Sequence, residues 1–156
     1  MDIEYTKGKK LPFSNIDQVG VIVRDMDKAI KHYESLGIGP FKPLGPHRIT
    51  ERTIRGKPAR DIQNVLRVAW VGGVQLELCQ PLKGESIQME FLRSRGEGIN
   101  HLGFFVDDID KESATLVKKG FEIIASTRFL NGGGIAYFNT GDAGVILFEL
   151  IQWPAE

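Results

Sequence analysis

Apolar and polar positions along the chain predict the same series of elements twice. Short β-branched and aromatic runs at 19–23 and 102–106 predict strands. Each run stops near an aspartate, Asp25 or Asp108, that can cap a following helix. Further strand-like runs follow each predicted helix, at 41–42, 49–54, 65–71 and 74–79 in the first half and at 121–129, 135–138 and 145–152 in the second. Each half therefore predicts a βαβββ order.

The two halves also share residues. The stretch 16–28 aligns with 99–111, and 76–81 aligns with 148–154, so each half opens and closes alike. We therefore expect an α+β fold in which two βαβββ modules, 14–81 and 98–154, form one curved mixed sheet around a cleft. A connector at 82–97 with one short helix joins them, and the whole chain 1–156 is predicted to be one domain.

Composition narrows the classes of partner. The 156 residues carry 20 Lys and Arg against 20 Asp and Glu, which argues against a general nucleic-acid or membrane binder. No apolar segment approaches the length needed to span a bilayer. The one cysteine, Cys79, excludes an intramolecular disulfide and fits a reducing compartment. We expect a cytoplasmic protein.

Four polar residues occupy equivalent places in the repeat. Gln18 and His101 lie on the opening strands, and Glu77 and Glu149 lie on the closing strands. Each glutamate interrupts a strongly apolar strand, where a carboxylate is costly to bury unless it is paired or bound to a cation. One imidazole, two carboxylates and one amide oxygen suit a divalent ion of borderline hardness, so these four are our candidate metal ligands.

At these residues the chain resembles the vicinal oxygen chelate superfamily, whose paired βαβββ modules build a metal cleft. The stretch 96–101, which reads Gly-Glu-Gly-Ile-Asn-His, and its continuation to Ile109 resemble the methylmalonyl-CoA epimerase branch in particular. The resemblance implies that Gln18, Glu77, His101 and Glu149 hold one divalent metal ion (Zn, Co, Ni or Mn). It also implies a homodimer and a small-molecule carbonyl or acyl-thioester substrate.

The expected chemistry is metal-assisted proton transfer, with the ion acting as a Lewis acid and a carboxylate as the base. Glu149 is the candidate base, by resemblance and because an apolar strand should make its carboxylate more basic than in water. An epimerase also needs an acid on the opposite face of the substrate. The nearest position to the one that the epimerase branch implies is occupied by Arg67.

Two alternatives stay open. The Gln, Glu, His, Glu set is similar to that of eukaryotic-type glyoxalase I, which implies a lactoylglutathione lyase. The positions where that family holds glutathione are here Ile22, Pro81 and Glu97, and none of them matches. The second alternative is a non-enzymatic module that binds a small molecule in the same cleft.

The stretch 47–60 concentrates five cations against one acid. It predicts either a solvated hairpin or a contact with an anion, such as a phosphate of coenzyme A, at the mouth of the cleft. In the second case His47 is placed to reach the substrate.

Overall fold

The protein is described by a computed structural model that covers residues 13–45, 47–140 and 146–155. None of the helices in these ranges is long and apolar enough to cross a membrane. The helices are α1 (Met26–Ser35), α2 (Ile87–Arg95) and α3 (Ile109–Lys118). The strands are β1 (Gln18–Ile22), β2 (Lys42–Pro43), β3 (Ile49–Ile54), β4 (Lys57–Pro58), β5 (Gln63–Val71), β6 (Val74–Lys83), β7 (Gly98–Phe105), β8 (Glu122–Phe129), β9 (Gly134–Asn139) and β10 (Leu147–Gln152).

The strands form one mixed, curled sheet in the order β2-β5-β6-β1-β7-β10-β9-β8-β3-β4. The opening strands β1 and β7 pair antiparallel at the centre. Each opening strand also pairs parallel with the closing strand of its own half, β1 with β6 and β7 with β10. The order on one side of the centre is therefore mirrored on the other, as two βαβββ units predict. The predicted α+β class and curved mixed sheet are confirmed.

Helices α1 and α3 cover one face of the sheet. The other face forms the cleft, where Ile87 of α2 packs against Ala125 and Tyr137. Val23, Met26 and Leu78 form the buried core beneath α1, and a matching core that includes Phe104 and Leu150 lies beneath α3. Each helix begins at an aspartate whose side chain accepts a hydrogen bond from a first-turn backbone N–H, which confirms the predicted caps Asp25 and Asp108. An aspartate cap therefore fixes the turn from the opening strand into the helix in both halves.

A second repeated contact ties each closing strand to its helix. The side-chain oxygen of Gln80 accepts a hydrogen bond from Met26 N at 3.0 Å, and that of Gln152 accepts one from Ile109 N at 3.0 Å. These backbone N–H groups belong to first helical residues and have no acceptor within the helix. The two glutamines therefore dock equivalent helices on equivalent strands.

The halves differ in the segment after α1. On its outer edge β5 pairs with β2, which is two residues long, and the β3–β4 hairpin pairs instead with β8 of the second half. Prolines at 40, 43, 46 and 58 remove backbone donors here and disfavour one continuous strand beside β5. The bounds predicted for the run 49–54 are those of β3, but its sheet partner lies in the other half. The start of the run predicted at 145–152 lies outside the described residues.

We predict that Gln80→Leu lowers the free energy of unfolding by about 1 kcal/mol, because Met26 N loses its acceptor while the side chain keeps its bulk. Urea denaturation followed by circular dichroism measures the change. Gln63→Leu is the matched control, since Gln63 lies exposed at the start of β5 and should change the stability little. Equal effects of the two substitutions would contradict the docking role of Gln80.

Candidate active site

The four predicted ligands lie together on the cleft face of the sheet, although they come from four strands. All four are buried: Gln18 and His101 are 1% exposed, Glu149 is 2% and Glu77 is 6% exposed. The Nε2 atom of His101 lies 2.8 Å from Gln18 Oε1, 2.8 Å from Glu149 Oε2 and 3.9 Å from Glu77 Oε1. The structure thus brings one imidazole nitrogen and three side-chain oxygens to one point.

Two repeat-equivalent glycines make the space for this cluster. In the central antiparallel pair, Gln18 lies opposite Gly103 and His101 lies opposite Gly20. A Cβ atom on Gly20 would stand 1.9 Å from Cε1 of His101, and one on Gly103 would stand 2.9 Å from Cβ of Gln18. Each opening strand therefore carries a ligand and, two residues later, the gap that accepts the ligand of the other strand.

Hydrogen bonds fix the orientation of the two uncharged ligands. The amide nitrogen of Gln18 donates to Gln75 Oε1 at 2.8 Å and to Glu77 Oε2 at 3.4 Å, which turns Oε1 of Gln18 toward His101. Asn100 Oδ1 lies 3.1 Å from Nδ1 of His101 and can only accept from it. The neutral imidazole thus carries its proton on Nδ1, and its Nε2 lone pair faces two acceptor oxygens.

Burial and mutual charge shift the pKa values within the cluster. Desolvation raises the pKa of Glu77 from 4.5 to about 7, with the charge of Glu149 adding to the rise and His101 opposing it. Desolvation lowers the pKa of His101, but the negative charge of the adjacent Glu149, together with that of Glu77, outweighs it, so the pKa is raised overall. The cluster therefore favours bound positive charge, as protons or as a cation.

The donor set fits a divalent cation. Glu149 Oε2 is buried and makes no well-directed hydrogen bond among the described residues, although Nε2 of His101 is 2.8 Å away. One Nε2 proton cannot point at both Gln18 and Glu149, whereas a cation between the side chains would satisfy all the oxygens. Within the described ranges, no three His, Cys, Asp or Glu side chains already surround a metal position. The Glu77 carboxylate lies 3.9 Å from Nε2 of His101 and would have to move closer to share a cation with the other three side chains.

A cavity of about 920 Å³, counting its open mouth, lies above the cluster, with Gln18, Glu77 and Glu149 in its lining. Tyr137 also lines it, directly opposite Glu149 in the β9–β10 pair, with its ring edge-on to His101 at 5.4 Å. Burial and then the charges of Glu149 and Glu77 raise the pKa of Tyr137 well above its usual value. Tyr137 thus keeps its hydroxyl proton near neutral pH, and the hydroxyl oxygen accepts a hydrogen bond from Gln88 Nε2 of α2 at 3.3 Å.

The sequence did not single out Tyr137, because its relation to Glu149 follows only from the strand register. The same holds for Trp153, which lines the cavity near its mouth with Phe129 and His47. The His47 ring lies 5.1 Å from that of Phe129 and 5.2 Å from that of Trp153. His47 therefore lies at the cavity, as one of the two interpretations of stretch 47–60 requires.

Arg67 is not brought to the cleft. It lies opposite Leu78 in the β5–β6 pair, and Leu78 belongs to the core beneath α1. Its guanidinium donates to the neighbouring Leu66 carbonyl oxygen at 2.8 Å. The position nearest to the expected second acid therefore faces the helix side of the sheet.

We predict that Gly20→Ala displaces the His101 ring and lowers the free energy of unfolding by about 1–3 kcal/mol through overpacking. The added methyl meets the ring at 1.9 Å, and the strand backbone on which it sits is held by both neighbours. Urea denaturation gives the stability, and the His101 imidazole signals in NMR spectra report the ring position. Gly73→Ala is the control, because a Cβ there has no heavy atom within 4 Å. An unchanged imidazole environment in Gly20→Ala would contradict the close packing.

We also predict that the metal-free protein loses stability as the pH rises from 5 to 8. Both Glu77 and His101 have raised pKa values in the folded state, so folding takes up protons that the unfolded chain has released. The contribution of Glu77 is present below its unfolded pKa and is lost as the pH passes about 7, a change of about 3 kcal/mol. Urea midpoints across this range measure it, and Glu77→Gln should flatten the profile. Stability that increases over the same range would refute the prediction.

Comparison with known proteins agrees with this architecture. Residues 17–138 match the glyoxalase/bleomycin resistance protein/dioxygenase superfamily. A curated relative, the uncharacterized protein YqjC of Bacillus subtilis, is 25% identical over 145 residues, covering 89% of this chain and 92% of its own.

Two solved structures share the fold. Methylmalonyl-CoA epimerase from Mycobacterium tuberculosis is 28% identical with a TM-score of 0.62, covering 90% of this chain and 88% of its own. A Streptomyces coelicolor methylmalonyl-CoA epimerase variant in complex with 2-nitronate-propionyl-CoA is 22% identical with a TM-score of 0.66, covering 88% of this chain and 92% of its own. With most of its length matched by the family, the chain belongs to the glyoxalase/bleomycin resistance protein/dioxygenase superfamily.

Proposed function

We propose that the protein is a metal-dependent isomerase that moves a proton next to the carbonyl of a small carbonyl or acyl-thioester compound. The observation that carries the proposal is the buried meeting of Gln18, Glu77, His101 and Glu149 beneath a cavity, with an unsatisfied carboxylate oxygen on Glu149. Buried acceptors facing one another are costly in a site that serves only stability. A site that binds a cation and moves protons uses the same arrangement.

The four side chains are the proposed ligands of one divalent ion. When bound, such an ion would supply Lewis-acid polarisation of a carbonyl oxygen, which makes the neighbouring C–H group more acidic. Asn100, by accepting from Nδ1, holds the His101 ring in the tautomer that offers Nε2 as a ligand. Gln75 performs the equivalent task for Gln18, since it accepts from the amide nitrogen and leaves the amide oxygen free.

Glu149 is the proposed base. Its carboxylate lies in the cavity lining and is 2% exposed, so few waters compete with the substrate for it. Tyr137, opposite Glu149 in the β9–β10 pair, keeps its hydroxyl proton near neutral pH and is our proposed hydrogen-bond donor to this carboxylate. A positioned carboxylate of this kind contributes about 10²–10⁴-fold to proton transfer.

Epimerisation also needs a proton donor on the other face of the substrate, and Arg67 cannot supply it because it faces α1. Glu77 and Glu149 come from strands on opposite sides of the central β1–β7 pair. Glu77 is thus the residue that we propose for the second face. Its side chain is also in the cavity lining.

Likeness to the Mycobacterium tuberculosis methylmalonyl-CoA epimerase, at 28% identity over 90% of the chain, supports an epimerase reaction on an acyl-thioester.

The cytoplasm remains our proposed location, because the one cysteine of the chain, Cys79, is a buried free thiol.

A lyase similar to glyoxalase I is the second candidate, because Gln18 completes the same set of four donors. The residues at the glutathione positions oppose it. Ile22 is 1% exposed within the core, and Pro81 is also buried. Glu97, the third, accepts a hydrogen bond from Arg24 N at 2.8 Å and offers no positive charge to glutathione.

The test is proton exchange at C2 of methylmalonyl-CoA in D₂O, followed by NMR with protein loaded with Co²⁺ or Zn²⁺. We expect exchange that EDTA abolishes and that Glu149→Gln slows about 10²–10⁴-fold. Glu51→Gln is the matched control, since Glu51 lies exposed on β3 and should leave the rate unchanged. His101→Ala should reduce the bound metal measured by mass spectrometry to a trace.

The alternatives give different results in the same assay. Exchange in the hemithioacetal of methylglyoxal and glutathione, but not in methylmalonyl-CoA, would favour the lyase. Stoichiometric metal with no exchange in either compound would remove both enzyme proposals and leave a small-molecule binding protein.

A further inference from the structure

One cation of the β3–β4 hairpin faces the cavity. Arg52 lies opposite Thr127 of β8, Thr127 lies opposite Ile135 of β9, and Ile135 lies opposite Ile151 of β10. All four side chains line the cavity. They form one row across the sheet, directly outside the row that contains Tyr137 and Glu149. Neighbouring rows on one face of a sheet are about 7 Å apart, so Arg52 stands one row nearer the mouth.

The Arg52 guanidinium has no anionic partner among the described residues. No ion pair or hydrogen bond of its side chain is present in this part of the chain, although the residue is partly buried. Burial lowers the pKa of Arg52, and its one opposing interaction is with Tyr137, not with Glu77 or Glu149. An arginine stays charged in such a place, so a positive charge with free N–H donors faces the cavity.

The other cations of the hairpin differ from it. Arg48, Lys57 and Arg60 are exposed. Arg55 is exposed too, and both its terminal nitrogens bind the Glu90 carboxylate of α2 at 2.8 and 2.9 Å. The sequence shows a cluster of positive charge here, but of the five cations in the stretch 47–60 only Arg52 lines the cavity.

Resting on the proton-transfer function above, we propose that Arg52 binds a carboxylate of the substrate, so that the cleft selects small oxo acids and other carboxylate-bearing carbonyl compounds. The planar fork of arginine matches a carboxylate with two parallel hydrogen bonds. Arg52 lies one row outward from Tyr137 and Glu149 and three strands from β10, but it lines the same cavity, so a substrate in that cavity can meet both Arg52 and Glu149. A phosphate of coenzyme A, which is remote from the thioester, suits this depth poorly.

The apolar groups around Arg52 strengthen the assignment. Ile135 and Ile151 share its row, and Phe129 and Trp153 lie farther out with ring planes 10° apart. Apolar neighbours lower the local dielectric constant, so a carboxylate that pairs with Arg52 gains more than one on an open surface. The anionic floor of Glu77 and Glu149 meanwhile disfavours a ligand carboxylate placed directly on the metal-free cluster.

The chain offers a built-in reporter for binding. It has two tryptophans, and only Trp153 lines the cavity, whereas Trp70 is 57% exposed at the β5–β6 turn. In a Trp70→Phe background, the fluorescence of EDTA-treated protein therefore reports on the cavity. We would titrate this protein with 2-oxobutyrate and with its neutral analogue, 2-oxobutanamide.

The expected result is that 2-oxobutyrate binds at least about tenfold more tightly than the amide, and that Arg52→Gln abolishes this preference. Arg52→Lys should retain part of it, because the charge remains but the fork is lost. Lys57→Gln, which removes an exposed cation from the same hairpin, should leave it intact.

Equal affinity of the unsubstituted cavity for acid and amide, or no detectable binding of the acid, would overturn the proposal. That comparison uses no Arg52 variant, so it decides the matter even if Arg52→Gln does not fold. Binding of adenosine 3′,5′-bisphosphate that depends on Arg52, with no preference for the acid, would instead assign the residue to a coenzyme phosphate and also overturn it. The titrations need neither metal nor turnover, so their outcome is independent of the exchange assay.

Discussion

The structure depends on one buried electrostatic constraint at the centre of the sheet. Nε2 of His101 points at the acceptor oxygens of Gln18 and Glu149, while its Nδ1 is committed to Asn100. Such a group of acceptors, taken out of water, requires positive charge in its midst. The upward shifts of the pKa values of Glu77 and His101 express the same requirement in protons. The cluster is thus costly for the fold and useful for chemistry.

The repeated module explains how the chain tolerates this cost. Each closing strand uses its two faces differently: its glutamate faces the cleft, and its glutamine, Gln80 or Gln152, holds the start of a helix on the other face. The central strands interlock through Gly20 and Gly103. The helices and their cores therefore stabilise the same strands that carry the unfavourable cluster. The strands cannot rearrange to relieve the cluster without also disrupting the cores beneath the helices.

Departure from the repeat is what makes the cleft a cavity. The β3–β4 hairpin leaves the first half and pairs with β8, where Thr53 and Ser126 share a hydrogen bond of 2.7 Å. This crossing extends the sheet around the cleft and adds Arg52 to its lining. The result is a gradient along the cavity, from acids at the floor through a single cation to aromatic rings at the mouth. A symmetric pair of modules would lack that order.

The linear pattern was sufficient for the repeated βαβββ elements, the helix caps and the four residues that meet at the floor, because all of these follow from local periodicity and from equivalence within the repeat. It did not reveal Tyr137 as the partner of Glu149, the side of the sheet that Arg67 faces, or the destination of the β3–β4 hairpin. These depend on which strands pair and in what register, and a shift of one residue exchanges the two faces of a strand. Strand pairing joins residues far apart in the chain, so only the folded sheet decides which polar side chains share a cavity.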